Sequence, residues 1–261
     1  MKRMLKLIFV ITAVLAMTLA AAACDRGPSR ETEYGQIKEG VLTVALDTYY
    51  PFCMVNENGQ WEGIDVEICT QLGEKLGLTV EYVSIPFDQA FQAVADDDAD
   101  IIVSNVSITE DRRELVDFSD PYASSGISLL AKEALGLDKD AFREKAADGR
   151  LLIGVYTGSV AADTARAQYG EKVVIKEYAN DGMLFRALIS GEIDAIITDT
   201  HSATHYDADP DFVMLETYAD TVQDIAIAVS KESPALTEAI NGALKDIDVA
   251  AIFQKYTPSA L

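Results

Sequence analysis

Arg112 draws attention because of where it falls in the chain. It closes the run Ser104-Asn105-Val106-Ser107-Ile108-Thr109-Glu110-Asp111-Arg112, which leads from the end of an apolar strand into the start of a helix. From that place a guanidinium can turn its planar fork into a crevice and hold a carboxylate through two parallel hydrogen bonds. A lone arginine is far more often a surface residue, and the adjacent Arg113 is read that way. Asp47-Thr48-Tyr49-Tyr50-Pro51-Phe52 puts one carboxylate and several rings just past another strand, and Phe87 holds a similar place. Rings at strand ends can sandwich an apolar or cationic group, although Phe52 is better read as core. Gly154-Val155-Tyr156-Thr157-Gly158-Ser159 opens a helix whose first N–H groups suit an anion. Asp199 ends a buried strand, where a carboxylate can take an ammonium group or cap the following helix. Together these residues outline a site for a zwitterion, with Arg112 and the Ser159 turn on the carboxylate and Asp199 on the ammonium.

His201 and His205 are the only histidines and stand four apart. That spacing on a helix could hold zinc, but no HExxH pattern accompanies it. A surface pair is the preferred reading, with no metal, no cofactor and no catalytic set expected.

These residues need elements to carry them, and the chain alternates strand and helix from Val41 onward. Val41–Leu46 is a short apolar strand. Ile64, Ile68, Leu72 and Leu76 recur every four residues and are followed by Gly77, the pattern of an amphipathic helix with a glycine stop. Strand 78–85, helix 88–95, strand 101–103 and a helix opened by Thr109 come next. The alternation repeats as strand 151–155, helix 159–169, strand 173–178, helix 182–189 and strand 195–197. Ala99-Asp100-Ile101-Ile102-Val103-Ser104-Asn105 parallels Ile193-Asp194-Ala195-Ile196-Ile197-Thr198-Asp199. The pattern predicts an α/β protein of two similar lobes, each an open, mainly parallel sheet flanked by helices. Ligands of such sheets sit beyond the carboxyl ends of the strands, where the polar residues named above fall.

The formal charge of -22 over 261 residues excludes a nucleic-acid partner, which needs clustered Lys and Arg. Lys2, Arg3 and Lys6 precede an apolar run from Leu7 to Ala23, a secretory signal pattern over residues 1–23. Cys24 follows three alanines, which resembles a lipoprotein processing site, although Ala21 stands where a large aliphatic residue is usual. A lipid on Cys24 places the protein outside the cytoplasm, anchored to a membrane through residues 24–40 as a polar tether. It leaves Cys53 and Cys69 as an even pair, for which a disulfide is expected.

Four motifs carry a resemblance. Gly63-Ile64-Asp65-Val66-Glu67, Ser107-Ile108-Thr109-Glu110-Asp111-Arg112, Val116-Asp117-Phe118-Ser119-Asp120-Pro121-Tyr122 and Gly191-Glu192-Ile193-Asp194-Ala195 look like the polar-amino-acid group of bacterial solute-binding proteins, ABC importer family 3. The likeness runs in order from about Val41 to Tyr256. It implies a two-lobed clamshell with a two-strand hinge, lobe 1 over 41–123 and 223–258 and lobe 2 over 124–222. It assigns the ligand α-carboxylate to Arg112 and the α-ammonium to Asp199. Tyr49 and Phe87 would line the side-chain pocket, Asp47 would meet the side chain, and Asn105 and Ser107 would add polar contacts. Many relatives carry Thr or Ser where Val160 stands, so Val160 offers only its N–H beside Gly158 and Ser159. The implied function is delivery of one free polar or cationic amino acid to ABC permease subunits. Two rivals share the fold. One is an enzyme such as a cyclohexadienyl dehydratase, and the other is a sensory module, which would continue into a membrane helix and a signalling domain.

Overall fold

The computed structural model describes residues 31–170 and 173–257. The expected signal segment and Cys24 lie outside those residues. The last residues of the stretch expected as a tether are packed onto the body. Gln36 is buried, Ile37 donates its N–H to Asp100 Oδ1 (2.7 Å), and Ser233 Oγ donates to the Gly35 carbonyl (2.6 Å).

The chain runs β1 (Val41–Leu46), β2 (Met54–Val55), β3 (Trp61–Glu62), α1 (Ile64–Leu76), β4 (Thr79–Ser84), α2 (Phe87–Ala95), β5 (Ile101–Ile102), α3 (Glu110–Leu115) and β6 (Val116–Phe118). It crosses to a second sheet through β7 (Ala123–Lys132). There follow α4 (Lys139–Ala147), β8 (Leu152–Tyr156), α5 (Val160–Tyr169), β9 (Val174–Tyr178), α6 (Asp181–Ser190), β10 (Ala195–Asp199) and α7 (Thr200–Asp207). The long β11 (Phe212–Ile225) returns to β12 (Ala228–Ser230), and α8 (Pro234–Leu244) and α9 (Val249–Tyr256) close the fold.

Each of the two main sheets has five strands, in the orders β4-β1-β5-β12-β6 and β11-β7-β10-β8-β9. Both are mixed rather than mainly parallel. The helix-linked pairs β1/β4, β1/β5, β8/β9 and β8/β10 are parallel, and every other pairing in these sheets is antiparallel. The reason is the connection. A crossover helix returns the chain to run parallel, whereas β7 and β12 are reached without one as the chain passes between sheets, and β11, although it follows α7, pairs with β7 and not with β10.

The amphipathic pattern of α1 is realised: Ile64, Ile68 and Leu72 are buried, and Gly77 ends the helix in the left-handed conformation at φ 67°. They join Leu42, Leu46, Phe52 and Ile101 in a core that extends to Phe185 and Leu188 beside the second sheet. A smaller core of Leu129, Phe142, Ile153 and Ile197 fills the other face of the second sheet. Cys53 and Cys69 are both buried in the larger core as free thiols, so the expected bridge is absent. Cys53 Sγ instead accepts a hydrogen bond from Ser104 Oγ (3.5 Å).

Candidate functional site

The strand ends of the first sheet present Asp47, Tyr49 and the turn at Ser104 and Asn105. That turn has φ of 129° and 53°, a left-handed conformation uncommon for residues other than glycine. Asp65, in the first turn of α1, holds it. One carboxylate oxygen accepts from the N–H groups of Ser104 (2.9 Å) and Asn105 (2.8 Å), and the other accepts from the Tyr122 hydroxyl (2.6 Å). Burial raises Asp65 to about 6. The Asn105 Oδ1 is buried with no hydrogen-bond partner among the described residues.

Thr109 caps α3, and one turn later Arg112 bridges the two sheets. Its Nη1 donates to the Ser107 carbonyl (2.7 Å) and its Nη2 to the Gly158 carbonyl across the cleft (3.2 Å). The guanidinium carbon lies 5.1 Å and 4.8 Å from the ring centroids of Phe87 and Phe91. Among the described residues no carboxylate pairs with it. Desolvation lowers Arg112 to about 10, partly countered by Asp163, so the group stays charged at neutral pH. Arg113, by contrast, is exposed and lies 4.0 Å from Glu110.

Facing Arg112 from the second sheet are the start of α5 and the end of β10. Ser159 caps α5, accepting from the Ala162 N–H (3.2 Å) while its hydroxyl donates to the Tyr156 carbonyl (2.6 Å). The Val160 and Ala161 N–H groups belong to the set that a helix leaves without intrahelical partners. Asp199 is 4% exposed and does cap α7. Its Oδ1 accepts from the N–H groups of His201 (2.8 Å) and Ser202 (3.2 Å) and from Ser125 Oγ (3.3 Å). Its Oδ2 accepts from the Tyr49 hydroxyl of the first sheet. Burial and the Asp199 charge hold the Tyr49 hydroxyl well above its ordinary pKa.

A second tyrosine–aspartate pair runs the opposite way. The Tyr156 hydroxyl, from the second sheet, donates to Asp47 Oδ2 (2.7 Å), which also accepts from the Phe87 N–H (3.2 Å). Asp47 Oδ1 accepts from the Thr48 N–H (2.7 Å). The Tyr156 ring stands 5.8 Å from Tyr49 and 5.6 Å from Phe87. Between the sheets these groups enclose a cavity of about 30 Å³ lined by Tyr49, Phe87, Asn105, Ser107, Arg112, Ser159, Val160 and Asp199. Outward from Arg112 lies a larger cleft of about 430 Å³, bordered by Asp88, Thr109, Gly158 and Asp163.

Residues 42–259 match the model of the bacterial extracellular solute-binding proteins, family 3. The chain belongs to that family. It is 26% identical over 256 residues to a probable histidine-binding protein of Neisseria gonorrhoeae, covering 95% of this chain and 92% of that one. It is 28% identical over 251 residues to the L-cystine-binding protein TcyJ of Escherichia coli K12, covering 93% and 92%. Among solved structures, an ancestral arginine-binding protein bound to arginine superposes with a TM-score of 0.75 at 29% identity, covering 84% of this chain and 98% of that one.

Within this family member most of the expected site residues converge, with two exceptions. Asp47 is tied up by Tyr156 and does not line the cavity, and Gly158 contributes its carbonyl to Arg112 at the outer cleft. Tyr156, Ser104, Ile127 and Ala161 line the cavity but were not expected. Tyr156 is the last residue of β8, so the strand-end rule that picked out Tyr49 would have found it. Ser125 carries no sequence signal, because its role arises only through the pairing of β7 with β10. His201 Nε2 lies 3.2 Å from the Ser124 carbonyl and His205 Nδ1 lies 3.1 Å from the Tyr50 hydroxyl. Among the described residues no cluster of three or more His, Cys, Asp or Glu is placed to hold a metal ion.

Proposed function

We propose that this protein captures one free amino acid between its two lobes outside the cytoplasm and delivers it to the permease of an ABC importer. One observation carries the reading. A guanidinium without a carboxylate partner among the described residues and a buried carboxylate face one cavity from opposite sheets. Arg112, with the first N–H groups of α5, suits an α-carboxylate, and Asp199 with Asn105 Oδ1 suits an α-ammonium.

A cavity of about 30 Å³ is far below the roughly 300–1,000 Å³ of ordinary ligand pockets. An entering amino acid must therefore part the sheets and take the place of the Tyr49 hydroxyl on Asp199. A ligand that touches both lobes binds their closed arrangement better than an open one, and that difference drives closure. Charge-assisted bonds worth roughly 1.5–3 kcal/mol each are enough for micromolar affinity, about -8 kcal/mol. The acidic residues near the cleft disfavour an acidic side chain, because carboxylates sharing a dry site repel. The ligands of the similar proteins, histidine, cystine and arginine, fit the remaining neutral and cationic choices.

The test is a thermal-shift screen of the purified protein against all common amino acids. A rise in Tm with a small, chemically related set is expected, because a ligand that binds only the folded state stabilises it. No rise with any of them, together with turnover of a prephenate-like acid, would overturn the reading in favour of an enzyme. The same reading includes a signal segment over 1–23 and a lipid on Cys24. Labelled palmitate should enter the wild-type chain and not Cys24→Ser; equal labelling of both contradicts the anchor.

A further inference from the structure

We propose that Asp181 is the residue that reads the ligand's side chain, and that the ligand is an amino acid whose side chain ends in a cation. The inference rests on the amino-acid reading above. Asp181 opens α6 in the second lobe and is 4% exposed. Its Oδ2 accepts a single, long hydrogen bond from the Tyr50 N–H (3.3 Å), and its Oδ1 is buried with no partner among the described residues. A buried carboxylate oxygen without a donor is costly, and native proteins retain one mainly where something else satisfies it.

The surroundings indicate what that partner is. Asp181 shares its field with Asp199 and Asp47, and burial together with those two charges raises it to about 8. Among the described residues no lysine or arginine pairs with Asp181, so at neutral pH it keeps a proton that an incoming cation would displace. Tyr49, Tyr206 and Tyr156 each have their hydroxyl pKa raised in part by the charge of Asp181. Rings beside a carboxylate suit a guanidinium or ammonium, which gains from the ring faces as well as from the charge.

Asp47 is the other candidate for this role, and it is already satisfied. It accepts from Thr48, Phe87 and the Tyr156 hydroxyl. Asp181 and Asp199, in contrast, belong to the same lobe and are covered by one short segment of the other. Tyr49 donates its hydroxyl to Asp199, Tyr50 donates its N–H to Asp181, and Ser202 Oγ fastens the segment by donating to the Tyr50 carbonyl. Withdrawing residues 49–50 uncovers both carboxylates together. An amino acid with an α-ammonium and a cationic side chain supplies one positive group to each. A neutral side chain would leave Asp181 without a partner.

Titration calorimetry with L-arginine and L-citrulline tests this, since citrulline replaces the guanidinium with a neutral group of the same length. Wild type should bind arginine at least about ten-fold more tightly than citrulline. Asp181→Asn should bring the two within about two-fold of each other by weakening arginine. Asp181→Ser should do the same, which keeps the result readable if one variant does not fold. Equal affinities in wild type, or a preference that survives in either folded variant, overturn the proposal. Binding only of amino acids whose side chains carry no cation overturns the proposal alone. Binding of no amino acid at all overturns the reading on which it rests.

Discussion

Arg112 lies under two phenylalanine rings and between two carbonyl oxygens, and none of these groups neutralises it. That makes it an anchor held in position before any anion arrives. Removing it should cost binding and leave folding intact. Arg112→Ala is expected to weaken the ligand by about 2 kcal/mol or more, about 30-fold, in a calorimetric titration, with an unchanged circular-dichroism spectrum. Asp181 permits a prediction about pH. Its folded value of about 8 lies above its ordinary 3.8, so the folded chain keeps a proton that the unfolded chain releases. Stability should therefore fall as pH rises from about 4 to about 8 and level off above that. Asp65, raised to about 6, adds to the fall over the lower part of the window. Urea midpoints of wild type and Asp181→Asn at pH 5 and pH 8 check this. The variant should lose less stability between the two, and parallel losses contradict it. Arg112, Asp199, Tyr49 and Phe87 could be picked out in the sequence because each closes or follows a recognisable strand or opens a helix. Asp181 could not, because its one bonded partner is 131 residues away.

The elements that place these groups depend on a few close backbone approaches. Gly63 has φ 130°, and a Cβ there would lie 2.3 Å from the Phe52 carbonyl oxygen. The next two N–H groups, of Ile64 and Asp65, donate to the Pro51 (3.1 Å) and Phe52 (3.0 Å) carbonyls. This junction seats both the Tyr49–Phe52 turn and the Asp65 carboxylate that holds Ser104 and Asn105. Gly63→Ala is expected to cost about 2 kcal/mol and to lower Tm by about 5 °C, with weaker ligand binding at temperatures where the protein is still folded. An unchanged Tm in a melting experiment contradicts it. The helix-linked elements were readable from apolar periodicity, and α1 ends where its glycine stop predicts. β7, β11 and β12 were not, since the long β7 and β11 pair with each other far along the chain and β12 is only three residues, too short to show a period.

At the scale of the molecule, the two sheets meet through a reciprocal pair of tyrosine–aspartate contacts, Tyr49 to Asp199 and Tyr156 to Asp47. Each sheet offers a hydroxyl to a carboxylate of the other, so the closed arrangement satisfies its own buried charges. An amino acid competes with these contacts and must offer more. Tyr49→Phe removes the competing hydroxyl from Asp199 and is expected to tighten binding several-fold in the same titration; weaker binding contradicts that role. The two-lobed architecture was foreseeable from the repeated strand–helix alternation, and its mixed strand directions were not. The most direct test of the whole account uses the amino acid that most raises Tm, titrated beside its α-amide and its Nα-acetyl derivative. The account predicts one bound molecule per chain for the free amino acid and a loss of at least about 100-fold for each blocked form, because each removes the charge that Arg112 or Asp199 holds. Equal binding of the free and blocked forms would contradict it.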